Sequence, residues 1–91
     1  VNCPKILLIS PPLIRAQLLP DMDQVFDCPY AHKQSLLFRK YYSAVAEQCE
    51  CSFLAAEDYA VAGADGVHIT KESHLRLAQA IAEKTRELFA D

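Results

Sequence analysis

The run Ile6-Leu7-Leu8-Ile9-Ser10, closed by Pro11-Pro12, constrains the fold of this chain more than any other stretch. It is apolar without alternation, β-branched at both ends of its apolar part, and stopped by residues that donate no backbone N–H. It therefore reads as a short strand. An unbroken apolar run is the pattern of a central parallel strand covered on both faces. A helical stretch follows from about His32 to Gln48, where Leu37, Phe38, Tyr41, Val45 and Ala46 recur at helical spacing. Lys33, Arg39, Lys40 and Glu47 occupy its other side. Cys51-Ser52-Phe53-Leu54-Ala55 is a second short strand. Strand, crossover helix and strand make a βαβ unit, right-handed with parallel strands.

The remaining segments frame that unit. Leu13 to Tyr30 reads as a long loop with a helical turn at Ile14–Leu19, punctuated by Pro20, Asp21, Asp23, Asp27 and Pro29. Glu57 to Val67 is a second loop, and Thr70 caps a last helix from Lys71 to about Phe89. Leu77, Ala78, Ile81, Thr85 and Leu88 form the stripe of that helix expected to be buried. The class is α/β. Two parallel strands and two helices nevertheless make only half of an α/β sandwich. A central strand asks for a neighbour on each side, and unpaired edges in so small a sheet are a liability. The expectation is a portion of a larger domain, or a chain that pairs with another.

Composition narrows the partners. Apolar residues make up 52% of the 91 residues and charged residues 23%, the balance of a folded chain. A net charge of −3 leaves no basic surplus for nucleic acid. No apolar run reaches the roughly 18 residues of a membrane span. The four cysteines, Cys3, Cys28, Cys49 and Cys51, lack zinc-finger spacing and read as free or buried thiols. That reading leans towards a reducing, cytoplasmic compartment.

The chemistry concentrates in Asp65-Gly66-Val67-His68. A histidine base needs its ring held in one tautomer, which a carboxylate accepting the Nδ1 proton achieves while stabilising the imidazolium. A three-residue separation lets a loop fold the acid back onto the ring, and Gly66 leaves that fold unobstructed. The pair follows a strand, on the side where open parallel sheets bind ligands. Asp-Gly is also a common turn dipeptide, so the spacing alone admits either a plain turn or an acid–base pair.

The wider pattern carries a resemblance. The tail from Asp65 to Ala78, with D-G-x-H, a helix bearing a second histidine (His74) and the pair Leu77-Ala78, resembles the closing block of the SGNH (GDSL-type) hydrolases. Ile6 to Pro12 resembles the family's late strand with its proline pair, and Ser35-x-x-Phe38-x-x-x-Tyr42 with Val45-Ala46 the helix after it. Phe53-Leu54-Ala55-Ala56 resembles the next strand. The resemblance implies the C-terminal half of a flavodoxin-like three-layer sandwich with a parallel sheet, residues 1–91 forming one portion of a single domain. It implies an esterase or lipase using an acyl-serine mechanism and no cofactor. His68 would be the general base of a Ser-His-Asp catalytic triad, Asp65 its orienting acid, and His74 would help close the site. Ala55-Ala56, where the family often has aspartate, and Ser73, where it often has glycine, are departures in loop and cap.

The family's G-D-S nucleophile block and G-x-N-D oxyanion block are not among these residues. Ser10 ends a strand but precedes proline, which removes the N–H of an oxyanion donor just after it. The chain by itself is expected to be inactive, its partners being a small ester substrate and the N-terminal half of the domain or another copy of the chain. A non-catalytic interaction domain using its open sheet edge is the alternative, and a metal module built on the histidines and cysteines a third, without ligand spacing to support it. Leu13 and Ile14 are candidates for an acyl pocket or ordinary loop packing. His32 reads as solvated, and Asp21, Asp23 and Asp27 as a solvated acidic loop.

Overall fold

A computed structural model describes residues 4–15 and 30–90. Strand β1 (Leu7–Ser10) leads to helices α1 (Tyr30–Ser35) and α2 (Phe38–Gln48), strand β2 (Ser52–Ala55), a 3₁₀ turn (Ala56–Asp58) and helix α3 (Lys71–Phe89). The strands pair in parallel, with Leu7 opposite Ser52 and Ser10 opposite Ala55. The βαβ unit read from the sequence is thus present. Side chains alternate along the strands, so successive residues serve opposite faces. Leu8 lines a cleft with Tyr41, Tyr42 and Val45 of α2, whereas Leu54 lines another with Ala80 and Lys84 of α3. Helix, sheet and helix make three layers.

The expected single helix from His32 starts earlier, at Tyr30, and is interrupted at Leu36–Leu37. Ser35 explains the break. Its hydroxyl donates to the His32 carbonyl at 2.7 Å, competing for a backbone acceptor of the helix, and Leu37 N–H turns to Gln34 O at 3.0 Å, a tighter 3₁₀ bond.

The helix stripes are less covered than their periodicity predicted. In α2 only Ala46 is buried, while Tyr41 and Val45 are exposed; in α3 Leu77, Ile81 and Leu88 are half-buried and Ala78 and Thr85 exposed. Two strands about 4.8 Å apart form a sheet scarcely wider than one helix of about 10 Å, so the flanks of each stripe overhang it. Among the described residues the buried apolar core is correspondingly small: Ala46, Leu54, Ala55, Ala56 and Ala60. Leu7, Leu8 and Ile9, which read as a fully covered central strand, are half-buried.

Candidate active site

Beyond the carboxyl ends of β1 and β2 lie two segments, residues 11–15 and the loop from Tyr59 to Thr70. The loop doubles back on itself. Ala62 bridges Ile69 in antiparallel fashion, Gly63 N–H donates to His68 O at 2.7 Å, and Thr70 N–H donates to Val61 O at 3.1 Å. At its tip Gly66 has φ of 82°, a left-handed conformation that side chains disfavour. The glycine is thus required by the turn as well as permitted by it.

That turn delivers Asp65 to His68. Asp65 Oδ2 lies 2.5 Å from His68 Nδ1, and Oδ1 accepts the backbone N–H groups of Val67 and His68, each at 2.9 Å. The bond to the His68 ring, then those two backbone N–H groups, lower the Asp65 pKa from 3.8 to about 2. An ionised carboxylate only accepts hydrogen bonds, so Nδ1 carries the proton and a neutral ring presents Nε2 as its basic nitrogen. The His68 side chain is 78% exposed, against 25% for Asp65, so the ring stands out from the surface with its acid beneath it. The turn in D-G-V-H exists, and within it the Asp65 carboxylate meets both the His68 ring and the backbone N–H groups of Val67 and His68.

Other positions are sorted by the fold. Thr70 caps α3, its side chain accepting from Ser73 N–H at 3.1 Å. Ser73, the departure from glycine, is wholly buried. Its hydroxyl accepts Val61 N–H at 2.9 Å and the Thr70 hydroxyl at 2.8 Å, tying the helix start to the loop. Ala55 and Ala56, the other departure, are buried where the strand turns into the 3₁₀ segment. Ser10 is fully buried with no partner for its hydroxyl among the described residues, which removes it as a nucleophile.

His74 is exposed on the first turns of α3 beside Lys71, Glu72 and Leu75, and is not joined to Asp65 or His68. His32 corrects the expectation of a solvated ring. It is half-buried, and its Nδ1 meets the carbonyl of Ile14 at 2.6 Å. This link escaped the sequence because 18 residues separate the partners. Leu13 and Ile14 do line a cavity of about 470 Å³, with Arg15, His32, Glu57 and Ala60–Ala62. Among the described residues no group of three histidine, cysteine or acidic side chains could hold a metal, and no helix is long and apolar enough to cross a membrane. Cys49 and Cys51 are free thiols; Cys3, Cys28, Asp21, Asp23, Asp27 and the expected turn at residues 16–19 fall outside the described residues.

No family model and no curated protein sequence matches the chain. Solved structures do. Est24, a carbohydrate acetylesterase from Sinorhizobium meliloti, is 33% identical with a TM-score of 0.84, over 94% of this chain and 40% of its own. The aryl esterase of M. smegmatis is 30% identical, with the same TM-score and the same coverage of both chains. The chain resembles the SGNH-type esterases in sequence and fold. A further carbohydrate acetylesterase family member from Sinorhizobium meliloti, at 23% identity and a TM-score of 0.86, repeats the SGNH-type fold. The chain spans about 40% of the length of these structures.

Proposed function

We propose that these residues supply the Asp–His part of a carboxylic-ester hydrolase of the SGNH type. Residues 1–91 form the C-terminal portion of one domain, and the serine and oxyanion donors come from residues outside them. The observation that carries this reading is the Asp65 carboxylate 2.5 Å from His68 Nδ1, which leaves Nε2 free of any partner among the described residues. In the reaction Nε2 takes the proton of the serine hydroxyl as it attacks the ester carbonyl, and Asp65 stabilises the resulting imidazolium. His68 then returns that proton to the leaving alcohol, and water, deprotonated by the same ring, releases the acid from the acyl-serine. Solved relatives named as a carbohydrate acetylesterase and an aryl esterase support small esters as substrates.

The test is hydrolysis of an activated aryl acetate by the chain alone and by the chain joined to a nucleophile-bearing segment. Turnover only in the joined protein, lost on His68→Ala, is the expected result; equal turnover with and without His68 would overturn it. A second reading, an interaction domain binding through its sheet edge, draws on the half-exposed β1 and the exposed Ile6, Tyr41 and Val45. It predicts partner binding that survives Asp65→Ala and His68→Ala together, with no turnover in any assembly.

A further inference from the structure

The loop that carries Asp65 and His68 does not stand by itself. Its tip is held by the short segment after β1, which is in turn held by α1. Ile14 is gripped at both of its backbone groups. Its N–H donates to Ser35 Oγ at 3.0 Å, and its carbonyl accepts from His32 Nδ1 at 2.6 Å. Ser35 is fully buried and completes the arrangement by donating its own proton to His32 O at 2.7 Å. Ser35 thus holds the Leu13–Ile14 peptide and, through His32 O, the turn that carries His32, while His32 directly orients the Ile14–Arg15 peptide, which Ile14 O shares with Arg15 N–H.

That peptide fixes the direction of the Arg15 N–H, which donates to Gly66 O at 2.9 Å; the Arg15 guanidinium also reaches Gly63 O at 3.1 Å. Gly66 O belongs to the same planar peptide unit as Val67 N–H, and the two point in opposite directions. Holding the carbonyl on Arg15 therefore aims Val67 N–H the other way, where it donates to Asp65 Oδ1 at 2.9 Å. Glycine at 66 makes this anchor necessary. With no Cβ, its ψ is free to swing and flip the Gly66–Val67 peptide, and a flipped peptide would present an oxygen to the carboxylate in place of a donor.

We propose that Arg15, set by the His32–Ser35 clamp on Ile14, is a positioning residue for the Asp65–His68 pair, acting through its backbone N–H on the Gly66–Val67 peptide. The assignment rests on the functional reading only in giving the pair a purpose; the positioning itself is read without turnover. His32 and Ser35 thereby acquire a role that their place in a helix start did not indicate.

The experiment uses the isotope-labelled full chain and follows two signals by NMR: the His68 ring Nδ1–H resonance and the pH titration of the Asp65 carboxyl carbon. Arg15→Pro deletes the N–H, Arg15→Ala keeps it and deletes the guanidinium, and Ser35→Ala opens the clamp. Arg15→Pro and Ser35→Ala are expected to broaden or erase the ring resonance. They should also raise the proton affinity of Asp65 by up to about tenfold, while Arg15→Ala keeps both signals near the parent. Unchanged signals in Ser35→Ala, with α3 amide signals confirming the fold, would overturn the clamp. Equal losses in Arg15→Ala and Arg15→Pro would overturn the backbone route. Should Arg15→Pro fail to fold, Ser35→Ala and His32→Phe decide the matter alone. An inactive pairing with these shifts intact would count against the hydrolase reading and leave the positioning in place.

Discussion

Asp65 holds His68 at both ends, one carboxylate oxygen on the backbone N–H at 2.9 Å and the other on ring Nδ1 at 2.5 Å. The loop is therefore organised by the same side chain that sets the tautomer of the His68 ring. Folding of the turn and orientation of the ring are one event.

Replacing that oxygen with an amide separates the two roles. Asp65→Asn keeps an acceptor for the backbone N–H groups but offers the ring a donor, which favours the tautomer protonated at Nε2. In an active assembly, kcat is expected to fall on the order of 10⁴-fold while binding of substrate changes little. Steady-state kinetics with ¹⁵N spectra of the ring check both parts; a loss confined to KM would contradict the assigned role.

The Asp65 pKa of about 2, below its ordinary 3.8, sets an acid dependence. A depressed carboxylate pKa means that the unfolded chain binds the proton more tightly than the folded one. Its contribution to stability is complete above pH 3.8 and disappears as the pH falls through about 2. The stability difference between parent and Asp65→Ala should accordingly be constant at neutral pH and vanish across that acid window, as measured by denaturant titrations at several pH values.

At the start of α3, Ser73→Ala removes the acceptor of Val61 N–H and of the Thr70 hydroxyl. A cost of about 1–2 kcal/mol is expected from the donors left unsatisfied. Thr70→Ala, which removes the helix cap, should cost about 1 kcal/mol. The two sites share a bond, so the double variant should lose less than the sum, which urea unfolding would detect.

Gly66→Ala places a side chain at φ of 82° and should destabilise the chain by about 1–2 kcal/mol. Its larger effect should be on the site: the strained turn releases Asp65, so the Asp65 titration moves upward in parallel with the loss of stability.

The exposed apolar side chains predict association. Ile6, Tyr41, Val45, Leu75 and Phe89 are all exposed, and sedimentation velocity should show mass increasing with concentration. A monomer at every concentration would mean that these residues tolerate water as they stand.

The elements themselves were legible because local rules decide them. Apolar run and proline stop gave β1, helical spacing and a threonine cap gave α3, and Asp-Gly fixed the turn at 65–66, since each depends on neighbours in the chain. The candidate pair was legible for the same reason: Asp65 and His68 are close in sequence, and a glycine-bearing turn can bring them into contact without help from the rest of the fold. Coverage was not. Periodicity marks which face of a helix is apolar, whereas burial depends on the width of what lies opposite, and two strands are too narrow to cover either stripe. Nor could the sequence reveal that Ser35 and His32 hold Ile14, or that Arg15 holds Gly66. Each of those bonds has a backbone atom at one end at least, across 18 to 51 residues, and backbone atoms carry no residue-specific signal. The sequence by itself determined the α/β order, the turn and the Asp65–His68 contact. Only the tertiary structure decided what anchors that turn, because anchoring is a matter of which segments the sheet brings side by side.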